Sequence, residues 1–186
     1  MRLFFAVWPD NAARAALAQH AIGPWPHGTR PIRDDALHLT LAFLGDVDEA
    51  VLPALEALGA RLGQRCVPTR MRLTKFGHWN NGIVWAAPER TPKALTGLVA
   101  ELRQGLAELG VESDTRRYKP HITLARRASH LPPLAPGAIV YPLDHLALVA
   151  SEAGPTGQVA YRTLARWPLS GRKKRARSKP EAPPLG

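Results

Sequence analysis

Two short stretches of this chain set an imidazole beside a hydroxyl at the same spacing: His38-Leu39-Thr40-Leu41 and His121-Ile122-Thr123-Leu124. Alternate residues of a β-strand share a face, so each stretch puts its His and Thr on one side and its two apolar residues on the other. Imidazole has a pKa of about 6.5, so it can accept or donate a proton near neutrality. A hydroxyl can donate to an anionic oxygen. Brought together, the two faces would offer a proton acceptor, a proton donor and two hydroxyls to one reacting group. The bland alternative is a pair of ordinary half-buried strands, each with a polar face in water.

The elements that must carry these residues follow from periodicity. Leu3 to Trp8 is apolar and aromatic, is stopped by Pro9, and reads as a buried strand. Asp10 can cap an alanine-rich helix ended by Gly23-Pro24. A loop containing Pro24, Pro26, Gly28 and Pro31 leads to the first motif strand, about Ala36 to Leu44. Asp48 caps a second helix bearing Leu52, Leu55, Leu58 and Leu62, with Pro53 in its first turn. Residues 70–76 alternate, with Met71, Leu73 and Lys75 on one face, and Ile83 to Ala87 forms the next strand. Thr91-Pro92 reads as a helix start, a cap and then a first-position proline, and Gly110 ends that helix. Pro120 biases Lys119 towards extended backbone at the entry to the second motif. A Pro-rich loop at 128–137 precedes strands at 139–141, 146–149 and 159–167, the last two a hairpin about a turn at 154–157. The expected fold is α+β: two pseudo-symmetric lobes, each a small antiparallel sheet flanked by helices, with a cleft between them. Each motif takes roughly two helices and four strands.

Composition narrows the function classes. The length of 186 residues suits one domain or two tightly packed lobes, and 45% of residues are apolar. The one cysteine, Cys66, forms no disulfide within the chain, and Cys-His metal spacing is absent. Neither a signal-peptide pattern nor an apolar run long enough to span a membrane is present, so a cytoplasmic location is the default. The net charge is +10, half of it in residues 171–186 and half on the body. Such an excess favours a polyanionic partner, and nucleic acid is the usual one. Residues 1–170 are expected to form the folded body and 171–186 a basic, Pro-containing disordered tail.

Four segments carry a resemblance: Arg2-Leu3-Phe4-Phe5-Ala6, His38 through Gly45, Tyr118 through Arg126, and Tyr161 through Leu169. Across residues 2–169 the chain resembles the 2H phosphoesterases, and among them the bacterial and archaeal RNA 2′,3′-cyclic phosphodiesterases historically called 2′-5′ RNA ligases. It departs from that pattern at Arg30-Pro31-Ile32-Arg33, which lacks the expected aromatic, and in its basic tail. The resemblance implies two lobes about a pseudo-twofold axis. It also implies hydrolysis of a cyclic phosphate to a 2′-phosphomonoester, with no cofactor and no metal.

On that resemblance His38 is the general acid and His121 the general base, and Thr40, Thr123 and Arg126 bind the phosphate. Strand parity alone would favour Arg127, because Arg126 is five residues past His121. A strand that ends or bulges near Ala125 would restore Arg126. Phe43, also five past its histidine, could stack on a base or pack in the core. The other histidines read as solvated or structural, with His78 and Trp79 as candidates for the cleft edge. The implied partner is RNA with 2′,3′-cyclic phosphate ends, tRNA fragments among the candidates, acted on by a monomer with no membrane role. The same site could join such ends to 5′-hydroxyls, with hydrolysis favoured by bulk water. The competing reading is a non-catalytic RNA-binding protein.

Overall fold

The computed structural model describes residues 1–20, 24–114, 116–135, 137–153 and 159–172. The strands are β1 (Arg2–Val7), β2 (Arg30–Pro31), β3 (Leu39–Asp46), β4 (Thr69–His78), β5 (Val84–Pro88), β6 (Ile122–Arg126), β7 (Ile139–Leu143), β8 (His145–Ala153) and β9 (Val159–Pro168). The α-helices are α1 (Asn11–Ala18), α2 (Leu52–Arg65) and α3 (Lys93–Glu108). Asp10 caps α1 by accepting from the Ala13 N–H at 2.7 Å. Asp48 does not cap α2 as expected: it caps a preceding 3-10 turn, Glu49–Val51, and the α2 N-cap is Val51 with no side-chain cap. At α3 the expectation fails: Pro92 itself is the N-cap and no side chain caps the helix.

The nine strands of the described residues form one sheet in the order β7-β4-β5-β6-β3-β1-β8-β9, with β2 paired to β6. The order divides into two antiparallel quartets with the motif strands innermost. In each, the motif strand follows a helix that follows its sheet neighbour: β1-α1-β3 and β5-α3-β6. The quartets meet at Leu39 paired with Ile122. One quartet is continuous in sequence, residues 69–143, and lies inserted within the other. Only three α-helices are present among the described residues, not two per motif. The connection from β6 to β7 contains Pro132 and Pro133, which disfavour a counterpart of α2. The turn expected at 154–157 and nearly all of the basic tail lie outside the described residues.

The core forms on one face of the sheet. Leu39, Leu41, Ile122 and Leu124 are buried there with Leu55 and Leu62 of α2 and Leu95 and Leu102 of α3. Burial of such a side chain contributes about 1.5–3 kcal/mol each. On the other face a smaller cluster gathers Phe4, Ala6, Ala147 and Val149 beneath Trp8 and Tyr161. Residues 2–8 are thus two-sided: Leu3, Phe5 and Val7 face the main core, while Phe4, Ala6 and Trp8 face the motif histidines' side.

Candidate active site

His38 and His121 each stand one residue before their strands begin. Continuing the antiparallel Leu39–Ile122 register sets His38 opposite Thr123 and Thr40 opposite His121. Leu39 and Ile122 point into the core, so the two histidines and two threonines share the open face. Each imidazole is held in the same way. His38 Nδ1 lies 2.7 Å from the Ala36 carbonyl, and His121 Nδ1 lies 2.9 Å from the Lys119 carbonyl. A carbonyl only accepts, so each Nδ1 carries the proton and each Nε2 is the working nitrogen. Neither strand pattern nor motif spacing could reveal this shared anchor, because it depends on the turn before each strand.

Both motif strands bulge at the same place. Against β1, Ala42 pairs with Phe5 and Thr40 with Ala6, so Leu41 is the extra residue. Against β5, Ala125 pairs with Val84 and Thr123 with Trp85, so Leu124 is the extra residue. An extra residue inverts the parity of the positions that follow it, up to any further bulge. Leu41 and Ala42 are therefore both buried and Phe43 is exposed; Leu124 and Ala125 are both buried and Arg126 is exposed. Phe43 and Arg126 consequently line, with His38 and Thr40, one cavity of about 290 Å³. Phe43 is 42% exposed, which excludes the core alternative for it, and its ring lies under the Arg2 guanidinium at 5.0 Å. Arg127 instead takes a left-handed conformation, φ 58°, beyond the strand.

The two imidazoles differ in their surroundings. His38 is enclosed by Phe4, Trp8 and Tyr161, with ring centroids 5.0, 5.2 and 5.0 Å away. His121 has one aromatic neighbour, Trp79, edge-on at 4.7 Å. Burial lowers the pKa of His38 to about 4; the Ala36 carbonyl opposes the shift, and Arg126 and His121 reinforce it. Burial also lowers His121, opposed by the Lys119 carbonyl and reinforced by Arg126. Arg126 thus acts on both rings, and it forms no salt bridge among the described residues. A guanidinium beside two neutral imidazoles and a hydroxyl is a site for an anion.

Further residues set the geometry without a motif to announce them. The Tyr118 hydroxyl donates to the Thr40 carbonyl at 2.9 Å, stitching the entry of β6 to β3. His145, buried between Asp144 and the backbone, accepts the Trp8 N–H at 3.2 Å and so fixes one wall of the His38 enclosure. Trp79 does edge the cleft, whereas His78 is tied to the Ala128 carbonyl at 2.8 Å. His20 is buried and stacks on Phe76 at 3.9 Å; His27 and His130 are exposed. Cys66 is buried and its thiol is pushed up to about 11, so it packs and does not react. Among the described residues no three His, Cys, Asp or Glu side chains cluster to hold a metal, and no helix is long and apolar enough to cross a membrane.

A sheet of two pseudo-equivalent quartets with one histidine-threonine face from each defines a two-histidine phosphoesterase fold, and the comparisons agree. Residues 9–154 match the 2′-5′ RNA ligase superfamily, and the chain belongs to that family. An RNA 2′,3′-cyclic phosphodiesterase of Thermus thermophilus is 41% identical over 185 residues, covering 92% of this chain and 91% of its own. The RNA 2′,3′-cyclic phosphodiesterase of Escherichia coli is 34% identical over 173 residues, covering 91% and 97%. The crystal structure of E. coli LigT complexed with 3′-AMP superposes with a TM-score of 0.78 at 34% identity, covering 91% of this chain and 98% of that one.

Proposed function

We propose that this enzyme hydrolyses RNA 2′,3′-cyclic phosphate ends to 2′-phosphomonoesters by metal-independent acid–base catalysis between His38 and His121. The observation that carries the reading is the paired anchoring of the two imidazoles, each held through Nδ1 with Nε2 free on the same open face. Water attacks phosphorus in line, giving its proton to His121 Nε2, and the 3′-oxygen leaves with the proton of His38 Nε2. Arg126 and the Thr40 and Thr123 hydroxyls hold the non-bridging oxygens, and Phe43 stacks on the terminal base. In the free protein His38 is neutral at pH 7. An anionic phosphate beside it and the three aromatic faces around it both favour the imidazolium, which supplies the acid in the complex. The reverse-type reaction joins a cyclic phosphate to a 5′-hydroxyl at the same site, with water as the dominant competitor. The protein acts as a monomer whose residues 1–170 form the bilobal catalytic body, with tRNA fragments among its substrates.

The test is incubation with a nucleoside 2′,3′-cyclic phosphate in the presence of chelator, with the product isomer identified by phosphorus NMR. A 2′-phosphate that disappears in both His38→Ala and His121→Ala is the expected result. Turnover restored only by added metal would overturn the metal-independent mechanism. No turnover on mononucleotide or RNA ends, with RNA binding intact, would favour a non-catalytic RNA-binding protein.

A further inference from the structure

The open face continues past the histidines in two directions, and the two sides differ. Beyond His38 lies the cavity with Phe4, Phe43, Arg126 and Tyr161. Beyond His121 lies a groove of about 390 Å³ lined by Lys75, Trp79, Trp85, Arg117 and Lys119. A register shift between Leu73 and Lys75 lifts Lys75 out of the buried row of Met71 and Leu73 and turns it into this groove, so the three residues do not share one face. Gly77 makes room for the Trp85 ring, which a Cβ there would strike, and Trp79 lies 5.6 Å from Trp85. Arg117 and Lys119 are exposed. Glu89 reaches Lys75 at 3.8 Å, and Asp114 on the adjoining rim is held by Arg116. Aromatic faces interleaved with cations suit a single nucleic-acid strand, its bases stacking and its phosphates paired.

In-line geometry decides which strand. The 3′-oxygen leaves on the His38 side, so the ribose that carries it, and the RNA upstream of it, lie on that side. The nucleophile enters opposite, past His121. We propose that the groove beyond His121 is a second RNA site, which holds the strand whose 5′-hydroxyl attacks the cyclic phosphate in ligation and departs in the reverse cleavage of a 2′-5′ linkage. The inference rests on the acid and base assignment above. In ligation the 5′-hydroxyl oxygen bonds to phosphorus while its proton passes to His121 Nε2. The P–O3′ bond breaks and O3′ takes the proton of His38 Nε2. In cleavage the 3′-hydroxyl attacks, giving its proton to His38, and the 5′-oxygen leaves with the proton of His121. Both directions balance with no further reactant.

The experiment compares two substrates on wild type and on the double variant Lys75→Glu/Arg117→Glu. One is a nucleoside 2′,3′-cyclic phosphate, which never enters the groove. The other is a short RNA with a single 2′-5′ linkage followed by several 3′-5′-linked nucleotides, whose downstream strand must occupy it. The variant is expected to lose about tenfold in kcat/KM on the 2′-5′ RNA and less than about twofold on the mononucleotide, since two phosphate contacts are replaced by repulsion. The slope of log kcat/KM against log salt on the RNA should flatten by about 1.4, a change that a merely structural defect would not produce. Equal loss on both substrates, or an unchanged salt slope, would overturn the second site. So would a wild type that hydrolyses the cyclic phosphate but never cleaves the 2′-5′ RNA. Failure of the wild type on the mononucleotide would instead remove the hydrolase reading on which the inference stands.

Discussion

The two halves of the site share a scaffold and differ in what they attach to it. Each gives one histidine held through Nδ1, one threonine and one bulge at the fourth and fifth motif residues. At the residue after the bulge one half carries Phe43 and the other Arg126. One imidazole sits among three aromatic rings and the other beside one. Symmetry in the backbone thus supplies two equivalently anchored imidazoles, which the proposed mechanism uses on opposite sides of the phosphate. Asymmetry in the side chains gives them different surroundings and sets one guanidinium where it acts on both rings.

The largest way to break the comparison is to remove either proton carrier. His38→Ala and His121→Ala should each cost about 10²–10⁴-fold in kcat, and the double variant little more than the worse single one. The two losses should then separate with a cyclic phosphate carrying sulfur in place of the 3′-oxygen. That leaving group needs no proton, so rates should recover in His38→Ala and stay low in His121→Ala. Recovery in His121→Ala alone would invert the assignment.

Arg126→Ala should lower kcat/KM by about 10–100-fold, with Arg126→Lys recovering part of it. Because Arg126 depresses both imidazoles, NMR titration of the variant should show both histidines with raised pKa values. A rise in only one would place the guanidinium on that side.

The pH profile sharpens the asymmetry. Both imidazoles are lowered, so both are neutral in the free enzyme at pH 7. As the proposed acid, His38 gains its proton only as pH falls towards about 4, and as the proposed base His121 loses function as pH falls through its own lowered pKa. Log kcat/KM should therefore rise as pH falls from 7, peak below about 6.5 and then decline. The kcat profile should lie to the alkaline side, since bound phosphate raises both values. A smaller effect is expected at the position twinned with Arg126: Phe43→Ala should raise KM several-fold with kcat nearly unchanged, reflecting lost stacking.

Much of this was legible in the sequence because it is local. The helix cap at Asp10, every strand except β2 and the pairing of each His with its Thr come from patterns within about ten residues. What sequence could not show is long-range. Strand β2 is two residues long and forms only because Arg30 and Pro31 lie against Arg126 and Ala125. The bulges require knowing that β1 and β5 flank the motif strands. Parity at Arg126 and Phe43 gave the one local hint, since a functional residue on the wrong face implies an extra residue before it. The enclosure of His38 draws on Phe4, Trp8 and Tyr161 from both ends of the chain, and no window of sequence contains them together. Thr91 misled because a Ser/Thr-Pro signal does not fix whether proline is the cap or the first helical residue.

The insertion of one quartet inside the other has a consequence for synthesis. As the chain leaves the ribosome, residues 69–143 can assemble the whole quartet that carries His121. The quartet of His38 is still lacking β8 and β9 at that moment, and β1 must wait for a partner about 145 residues downstream. Tyr161, on β9, closes the surroundings of His38. A nascent chain therefore completes the strands around His121 before those around His38, whose aromatic surroundings close only once the β8–β9 hairpin is made.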